Sequence, residues 1–436
     1  MRQGIYFLLL VSLLFISCSS SKQIGKSAKR NVLNDPSLKT AHVGISVYDP
    51  STKKYLYNYQ GDKYFVPASN TKLPTCYAAM KYLGDSLVGL RYLTNGSDVW
   101  GIATGDPSFL HPDYPRQPVY DFLKSCTGNI MINISGWKDR ALGNGWSWND
   151  YSEDYMAERS AMPIYGNLVR FTGTLSQLKV VPKIFEGNVA DSFHNKTLFP
   201  SSVTRDIAAN KFFIHRYSEK PRTVETPIYT KNGDVIFELL SDTVGKTITR
   251  DTVSEKLKSS SIHLIYSQPT DSLLSPMMHR SDNFFAEQTL LMVSNERLGL
   301  MSDSRIIDTL LKSDFKDLPQ KPRWVDGSGL SRFNLFTPQD FVTILDKMKN
   351  EFGMERIKTI LPTGNEGTLE GLYTKEPGYI FAKTGTLSGV IALSGFLYTN
   401  KNKLLIFSVL VNNHQAAAND VRSAIEKFVK GLRDRY

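Results

Sequence analysis

Residues 67–72 read Pro-Ala-Ser-Asn-Thr-Lys, and residues 75–83 continue with amino acids that are compatible with a helix. A helix that begins at Ser69 places Ser69 and Lys72 three residues apart, on one face. The positive end of the helix dipole then lies beside the Ser69 hydroxyl, where it favours a developing oxyanion. Because Pro74 lacks an N–H and crowds the preceding turn, we expect the first turn of this helix to be distorted.

Ser-x-x-Lys is too common a pattern to identify a site by itself. Four other pairs in the chain match it: Ser19/Lys22, Ser51/Lys54, Ser176/Lys179 and Ser313/Lys316. Two later motifs select Ser69, because Ser281-Asp282-Asn283 and Lys383-Thr384-Gly385 follow it in sequence. The trio is the signature of serine enzymes that are acylated by penicillin-like or D-alanyl-D-alanine carbonyls. Taken alone, residues 281–283 also fit a helix N-cap, and residues 383–385 fit an ordinary strand end.

The chemistry of acyl transfer explains why these residue types occur together. A serine hydroxyl is a poor nucleophile until a base removes its proton. Lys72 can act as that base only as a neutral amine, which requires burial or a neighbouring positive charge such as Lys383 to lower its pKa. Ser281 can pass the proton on to the leaving nitrogen, and Asn283 can hold Lys72 and the substrate's backbone amide.

The third motif fits the binding of a substrate carboxylate. Lys383 and Thr384 can bind the terminal carboxylate of a peptide, and a strand edge left bare at Gly385 lets the substrate lie against it. The seven histidines form no His-Glu-x-x-His motif and no close cluster with cysteine, so we expect no catalytic metal and no cofactor. Cys76 falls in the helix that carries Lys72, where we expect a buried thiol.

The N-terminus has the pattern of an export signal. Arg2 precedes an apolar run over residues 5–16, which is too short to span a bilayer. The run ends at Cys18 in a sequence that resembles a bacterial lipobox, so we expect residues 1–17 to be removed and Cys18 to anchor the chain to a membrane. The alternative is an ordinary signal peptide with an incidental cysteine.

Residues 18–35 are polar and basic. We interpret them as a tether, either near an anionic membrane surface or simply solvated. The expected location is the periplasm or cell envelope. The formal net charge is +10, but no concentrated Lys/Arg block is present, which argues against nucleic-acid binding and suits an anionic partner such as peptidoglycan.

Strand patterns occur near both ends of the chain, which predicts one lobe in which they share an antiparallel sheet. We assign residues 36–84 and 228–436 to this lobe and residues 85–227 to an inserted, mostly β domain, because the middle of the chain is turn-rich and aromatic. Trp146 and Trp148 in the insertion fit either a platform for carbohydrate or, the interpretation we prefer, packing in a core or between domains.

The motifs together resemble the D-alanyl-D-alanine carboxypeptidase/endopeptidase family, the low-molecular-mass penicillin-binding proteins with a large inserted domain. The separation of 208 residues between Lys72 and Ser281 fits that insertion. The motifs that carry the resemblance are Pro67-Ala68-Ser69-Asn70-Thr71-Lys72, Gly105-Asp106-Pro107, Gly145-Trp146-Ser147-Trp148, Ser281-Asp282-Asn283, Asp326-Gly327-Ser328-Gly329-Leu330-Ser331, Leu361-Pro362, Gly367-Thr368-Leu369 and Ala382-Lys383-Thr384-Gly385-Thr386.

The resemblance implies an α+β fold, with a serine β-lactamase/transpeptidase-like lobe in which a five-stranded antiparallel sheet is flanked by helices. It implies that Ser69 is the nucleophile, Lys72 its base, and the N–H groups of Ser69 and Thr386 the oxyanion hole. The implied reaction is release of D-alanine from peptidoglycan stem peptides through an acyl-enzyme. Cleavage of cross-links is the usual second activity, and β-lactams are the implied inhibitors.

Two other functions remain open at this stage. A β-lactamase needs fast deacylation, but no Glu-x-x-Leu-Asn sequence that could place a deacylating glutamate is present, and the insertion is long. A non-hydrolytic penicillin sensor would use the same pocket without turnover. The intact set of Ser69, Lys72 and Lys383 argues against such a sensor.

Overall fold

The computed structural model describes residues 22–191, 195, 197–251, 261–375 and 377–436. The predicted signal peptide, residues 1–17, and the predicted lipidation site, Cys18, lie outside these residues. Within them, every helix is too short or too polar to cross a bilayer.

Sixteen strands and nine helices are named in the described part of the chain. The strands are β1 (His42–Asp49), β2 (Lys54–Tyr59), β3 (Ser86–Asn95), β4 (Asp98–Ala103), β5 (Ile130–Asn133), β6 (Leu168–Thr172), β7 (Lys179–Val181), β8 (Val189–Ala190), β9 (Phe199–Arg205), β10 (Phe212–Ser218), β11 (Val224–Pro227), β12 (Ile248–Arg250), β13 (His263–Pro269), β14 (Ile380–Leu387), β15 (Val390–Tyr398) and β16 (Leu404–Asn412). The helices are α1 (22–28, continued by a π-helical turn over Lys29–Leu33), α2 (Lys72–Tyr82), α3 (Pro118–Ser125), α4 (Asp234–Val244), α5 (Thr270–His279), α6 (Asn283–Leu298), α7 (Asp303–Lys312), α8 (Pro338–Ile360) and α9 (Ala418–Arg435).

The first lobe is built on a five-stranded antiparallel sheet in the order β14-β15-β16-β1-β2. Pairing of β1 with β16 joins the two ends of the chain, which confirms the predicted shared sheet and the α+β fold class. Along β16 the side chains alternate between two cores. Ile406 and Leu410 pack with α2, α5, α6 and α8, whereas Phe407 and Val409 pack with α9. Burial on both faces explains why β16 reads as a continuous apolar run.

The N-terminal segment is not the tether that the sequence suggested. Residues 22–33 are helical, and Ile24, Ala28 and Val32 are buried against α9. These three side chains are four residues apart, so they form one apolar stripe on α1. The prediction of a polar tether is therefore wrong for this part of residues 18–35.

The second lobe is the inserted domain. Its main sheet has the order β12-β5-β4-β3-β13, and two three-stranded sheets, β8-β10-β9 and β11-β6-β7, pack nearby. Because β13 pairs with β3, the insertion continues to Pro269. The chain re-enters the first lobe where the Thr270 N–H donates to the carbonyl of Asp85 over 2.9 Å. The predicted return at residue 228 is wrong, since a pairing between strands so distant in sequence leaves no local signal.

Candidate active site

Ser69 lies in a 3-10 turn, Ala68–Thr71, that leads directly into α2. The distorted first turn expected from Pro74 is thus present as a 3-10 turn. The turn is fixed from both sides. Thr71 Oγ1 donates to the Ala68 carbonyl over 2.9 Å, and Asn70 Nδ2 donates to the Lys383 carbonyl on β14 over 3.0 Å. The half-buried Ser69 hydroxyl therefore faces the cleft on a rigid support.

Lys72 is fully buried one turn below Ser69. Its Nζ contacts Ser69 Oγ at 2.9 Å, Asn283 Oδ1 at 2.6 Å and the Ser328 carbonyl oxygen at 2.8 Å. Burial lowers the pKa of Lys72 to about 8, against the opposing effect of Asp326 and other acidic groups nearby. About a tenth of Lys72 is therefore a neutral amine at pH 7, and this form can act as a general base.

The Ser281-Asp282-Asn283 motif is both a helix cap and part of the site. The Asp282 carboxylate accepts the N–H of Phe285 over 2.9 Å as the N-cap of α6. Asn283, the first residue of α6, accepts from Lys72 and donates through Nδ2 to the Tyr155 carbonyl over 3.0 Å. The two interpretations of the motif that the sequence left open are therefore compatible.

Lys383 is also fully buried. Its Nζ donates to Ser281 Oγ over 2.9 Å and to the Thr384 carbonyl over 2.8 Å. Burial, followed by repulsion from Lys72, lowers the pKa of Lys383 well below its usual value. From the sequence we expected either burial or the positive charge of Lys383 to lower the pKa of Lys72. In the structure, burial is the main cause.

Gly385 has a structural role in addition to the bare strand edge predicted from the sequence. A Cβ at this position would lie 2.7 Å from the carbonyl oxygen of Pro67 and 3.0 Å from the backbone N of Ser69. The glycine thus lets β14 approach the turn that carries Ser69. Thr384 and Thr386, on either side of it, line the cleft.

A loop after α7 supplies residues to which the sequence gave no role. Asp326 accepts the N–H groups of Gly329 at 2.8 Å and Ser331 at 2.7 Å, and it also accepts the indole N–H of Trp146 at 3.1 Å. Gly329 has φ +88°, and a Cβ there would lie 1.9 Å from the Ala68 carbonyl oxygen. The loop is folded around one carboxylate and placed against the turn that carries Ser69.

Behind this loop lies a buried charge cluster that the sequence did not reveal. Arg159 of the inserted domain contacts Asp139 at 2.9 Å, Glu287 at 3.2 Å and Asp303 at 2.7 Å. Glu287 also accepts the N–H of Ser328 over 2.8 Å, and the Ser328 carbonyl holds Lys72. Burial and repulsion from Asp326 raise the pKa of Glu287, whereas the positive charge of Arg159 opposes this shift. No local pattern marks Arg159, because its partners come from three separate segments.

The site opens into a cleft of about 1180 Å³ between the two lobes. The inserted domain lines it with Trp146, Ser147, Asp150, Tyr155 and Met156. Trp146 is half-buried, and the guanidinium carbon of Arg159 lies 5.5 Å from its ring centre. Trp148 is 75% exposed, so the packing interpretation that we preferred for both tryptophans is wrong for Trp148.

No group of three or more His, Cys, Asp or Glu side chains is arranged to hold a metal ion in the described part of the chain. Cys76 and Cys126 are buried free thiols. The chemistry that the site offers is that of its own side chains: a hydroxyl beside a buried amine of lowered pKa, at the edge of a strand that can pair with an extended peptide.

The chain is similar to proteins of one family. The family model described as "D-Ala-D-Ala carboxypeptidase 3 (S13) family" matches residues 27–432. The D-alanyl-D-alanine carboxypeptidase of Actinomadura sp. (strain R39) is 25% identical over 89% of this chain and 80% of its own length. The D-alanyl-D-alanine carboxypeptidase DacB of Haemophilus influenzae is 23% identical over 91% of this chain and 90% of its own length.

Two solved structures share the fold. The crystal structure of penicillin binding protein 4 (dacB) from Haemophilus influenzae aligns with a TM-score of 0.71 at 20% identity, covering 94% of this chain and 98% of that chain. Bd3459, a predatory peptidoglycan endopeptidase from Bdellovibrio bacteriovorus, aligns with a TM-score of 0.53 at 14% identity, covering 90% of this chain and 93% of that chain.

Proposed function

Because the chain belongs to the D-Ala-D-Ala carboxypeptidase 3 (S13) family, we propose that Ser69 is its acylated nucleophile and Lys72 the base that activates it. The chain is a penicillin-binding, serine-type D-Ala-D-Ala carboxypeptidase that acts on peptidoglycan. The observation that carries the residue assignment is the 2.9 Å contact between Ser69 Oγ and the buried Lys72 Nζ.

In the first half of the reaction, the neutral amine of Lys72 takes the hydroxyl proton while Ser69 Oγ bonds to the penultimate D-alanine carbonyl carbon. The N–H groups of Ser69 and Thr386 stabilise the oxyanion. The C–N bond then breaks, and the proton reaches the leaving nitrogen through Ser281. Ser281 is placed for this role because its hydroxyl already accepts from Lys383 and so can donate towards the cleft.

In the second half, a water molecule attacks the ester carbonyl, and Lys72 again takes the proton that is released. The products are the shortened peptide and free Ser69. Asn283 holds Lys72 throughout through its Oδ1 contact of 2.6 Å. A β-lactam enters the same pathway at the first step and leaves a long-lived ester on Ser69. Its binding is supported by the Haemophilus influenzae penicillin binding protein 4 structure that is complexed with a novel β-lactam.

Cross-link cleavage is a second activity that the cleft supports. The leaving group in a cross-link is bulkier than D-alanine, so it needs an open site. The cleft has a volume of about 1180 Å³ and is lined by both lobes. We propose that the enzyme also acts as a DD-endopeptidase.

Peptidoglycan lies outside the cytoplasm, so the enzyme acts in the cell envelope. We propose that residues 1–17 direct its export to the periplasm and that a lipid on Cys18 holds it at a membrane. The mature chain would then begin only a few residues before α1, which packs on the catalytic lobe. The anchor would thus keep the enzyme close to the membrane surface.

The test is mass spectrometry of purified muropeptides after incubation with the mature protein and with Ser69→Ala. Pentapeptide monomers should lose one D-alanine with the unaltered protein only, and cross-linked dimers should become monomers if the endopeptidase activity is present. No change in any muropeptide, with penicillin still bound at Ser69, would contradict the hydrolase and support a sensor.

A further inference from the structure

The position of Lys383 leaves the charge of the substrate's terminal carboxylate without a direct counter-ion. The side chain of Lys383 is fully buried, and its Nζ already donates to Ser281 Oγ and to the Thr384 carbonyl. A carboxylate that lies against the outer edge of β14 therefore needs a cation from another element.

Arg422 of α9 is placed at that edge. Its Nη2 donates to Thr386 Oγ1 over 3.1 Å, and its Nη1 donates to Asn419 Oδ1 over 3.1 Å. Arg422 and Asn419 both line the cleft that contains Ser69. Among the described carboxylates, none forms an ion pair with Arg422. An arginine without an acidic partner thus faces the substrate cleft beside the strand that carries Thr384 and Thr386.

The hydrogen-bond polarity favours an anion at this position. Thr386 Oγ1 accepts from Arg422, so its own O–H proton is free to point outwards and donate. The remaining N–H groups of the guanidinium offer a planar fork that matches a carboxylate. One hydroxyl donor and one guanidinium would then converge on the same ligand.

We propose that Arg422 is a specificity-determining residue that, together with the Thr386 hydroxyl, binds the carboxylate on the residue whose nitrogen leaves. The inference rests on the proposed function of the Ser69 site. Arg422 would make the enzyme prefer peptides with a free carboxylate beside the scissile amide over the same peptides with that carboxylate blocked.

Arg332 is the other arginine that lines the cleft, and it serves as the matched control. It is exposed, and its Nη2 donates to the Ser388 carbonyl over 2.8 Å, two residues beyond Thr386 along the chain. Replacement of either arginine by glutamine removes the same charge from the same cleft. Only Arg422→Gln removes the guanidinium that donates to Thr386 Oγ1.

The experiment compares kcat/KM for an N-acylated tripeptide that ends in D-Ala-D-Ala with kcat/KM for its C-terminal amide, by detecting D-alanine and D-alaninamide. We expect Arg422→Gln to lower kcat/KM for the acid by about 10- to 100-fold, as loss of a charged hydrogen bond does. We expect little change for the amide, partial rescue in Arg422→Lys, and an unchanged acid-to-amide ratio in Arg332→Gln.

Three results would overturn the inference: an unchanged acid-to-amide ratio in Arg422→Gln, an equal loss for both substrates, or loss of the preference in Arg332→Gln instead. Thermal unfolding of each variant checks that the fold is retained. If the unaltered enzyme releases neither product, the proposed hydrolase fails separately. The acid preference of each variant is then measured as the rate of acylation by benzylpenicillin relative to its methyl ester. If neither compound acylates the unaltered protein, both the proposed function and the inference about Arg422 are overturned.

Discussion

At the scale of single residues, Lys72 is held in a geometry that suits a base. A neutral amine has two N–H bonds and one lone pair. The Asn283 Oδ1 and Ser328 carbonyl oxygens, at 2.6 and 2.8 Å, can each accept one N–H. The lone pair is then directed at the third neighbour, Ser69 Oγ, at 2.9 Å. Two fixed acceptors therefore orient the amine towards the proton that it must remove.

The pKa of Lys72 makes acylation depend on pH. Burial lowers this pKa to about 8, so Lys72 is mostly protonated below pH 8 and cannot accept a proton. The acylation rate should fall about tenfold for each pH unit below that value and reach a plateau above it. Stopped-flow measurement with a chromogenic β-lactam gives the profile, and a rate that stays constant from pH 6 to 9 would contradict the assignment of the base.

Lys72→Arg is the matched variant for this prediction. It keeps the positive charge and the donors but cannot lose a proton. The acylation rate should fall by about 10²- to 10⁴-fold at every pH, which is the usual contribution of a general base. Recovery of the rate at high pH in this variant would show that another group takes the proton.

Much of the proposed reactive set was predictable from the sequence, whereas the residues that support it were not. Ser69, Lys72, Ser281, Asn283 and Lys383 each lie in a short motif with fixed spacing, and the structure brings them together. Their supporting residues have no such local pattern. The roles of Glu287 and Arg159 depend on contacts between segments that are distant in sequence.

At the scale of elements, two glycines make room for the turn that carries Ser69. Gly385 on β14 avoids the Pro67 carbonyl, and Gly329 avoids the Ala68 carbonyl. The side chain of Asn70 closes the gap by donating to the Lys383 carbonyl. The turn is thus enclosed by backbone on two sides, with no room for a methyl group on either.

Gly385→Ala should separate β14 from this turn. The added Cβ would lie 2.7 Å from the Pro67 carbonyl oxygen, and this backbone contact cannot be relieved by a side-chain rotation. A displacement of about 1 Å in a catalytic group can lower the rate by about 10²-fold, so we expect an acylation defect of at least that size. Stopped-flow acylation by a β-lactam measures it.

Gly136→Ala is the control for this change, because a Cβ at Gly136 meets no atom within 4 Å. It should acylate at the rate of the unaltered protein. If Gly385→Ala were as active as Gly136→Ala, the close approach of β14 would have no catalytic importance.

Two predictions about elements, the N-terminal tether and the end of the insertion, were wrong because they relied on local sequence patterns. The polar residues around α1 suggested a tether, although Ile24, Ala28 and Val32 already had helical spacing. The end of the insertion was misplaced because β13 resembles any other short strand until it pairs with β3. The terminal strands were easier to place, since β15 and β16 are adjacent in sequence and apolar on both faces.

At the scale of the whole molecule, the inserted domain is part of the active site. It lines the cleft with Tyr155, whose carbonyl accepts from Asn283. It also supplies Arg159, the guanidinium that neutralises Glu287 and Asp303 of the first lobe. The two lobes are therefore coupled through buried charge as well as through packing.

Arg159→Met should strongly destabilise the protein. The change leaves three carboxylates without their buried cation, and removal of one partner from a buried ion pair typically costs about 3–5 kcal/mol. Urea unfolding followed by fluorescence measures the loss. Lys312→Met, which removes only the solvent-exposed pair with Asp308, should leave the midpoint unchanged within error. Equal midpoints for the two variants would contradict a coupling role for Arg159.

The central claim is that Ser69 carries the acyl group, and peptide mapping after benzylpenicillin trapping tests it most directly. Ser51→Ala is the control, because Ser51 and Lys54 also match the Ser-x-x-Lys pattern. We expect one penicilloyl adduct, on the peptide that contains Ser69, in the unaltered protein and in Ser51→Ala, and no adduct in Ser69→Ala. An adduct on another residue, or one that persists in Ser69→Ala, would contradict the account.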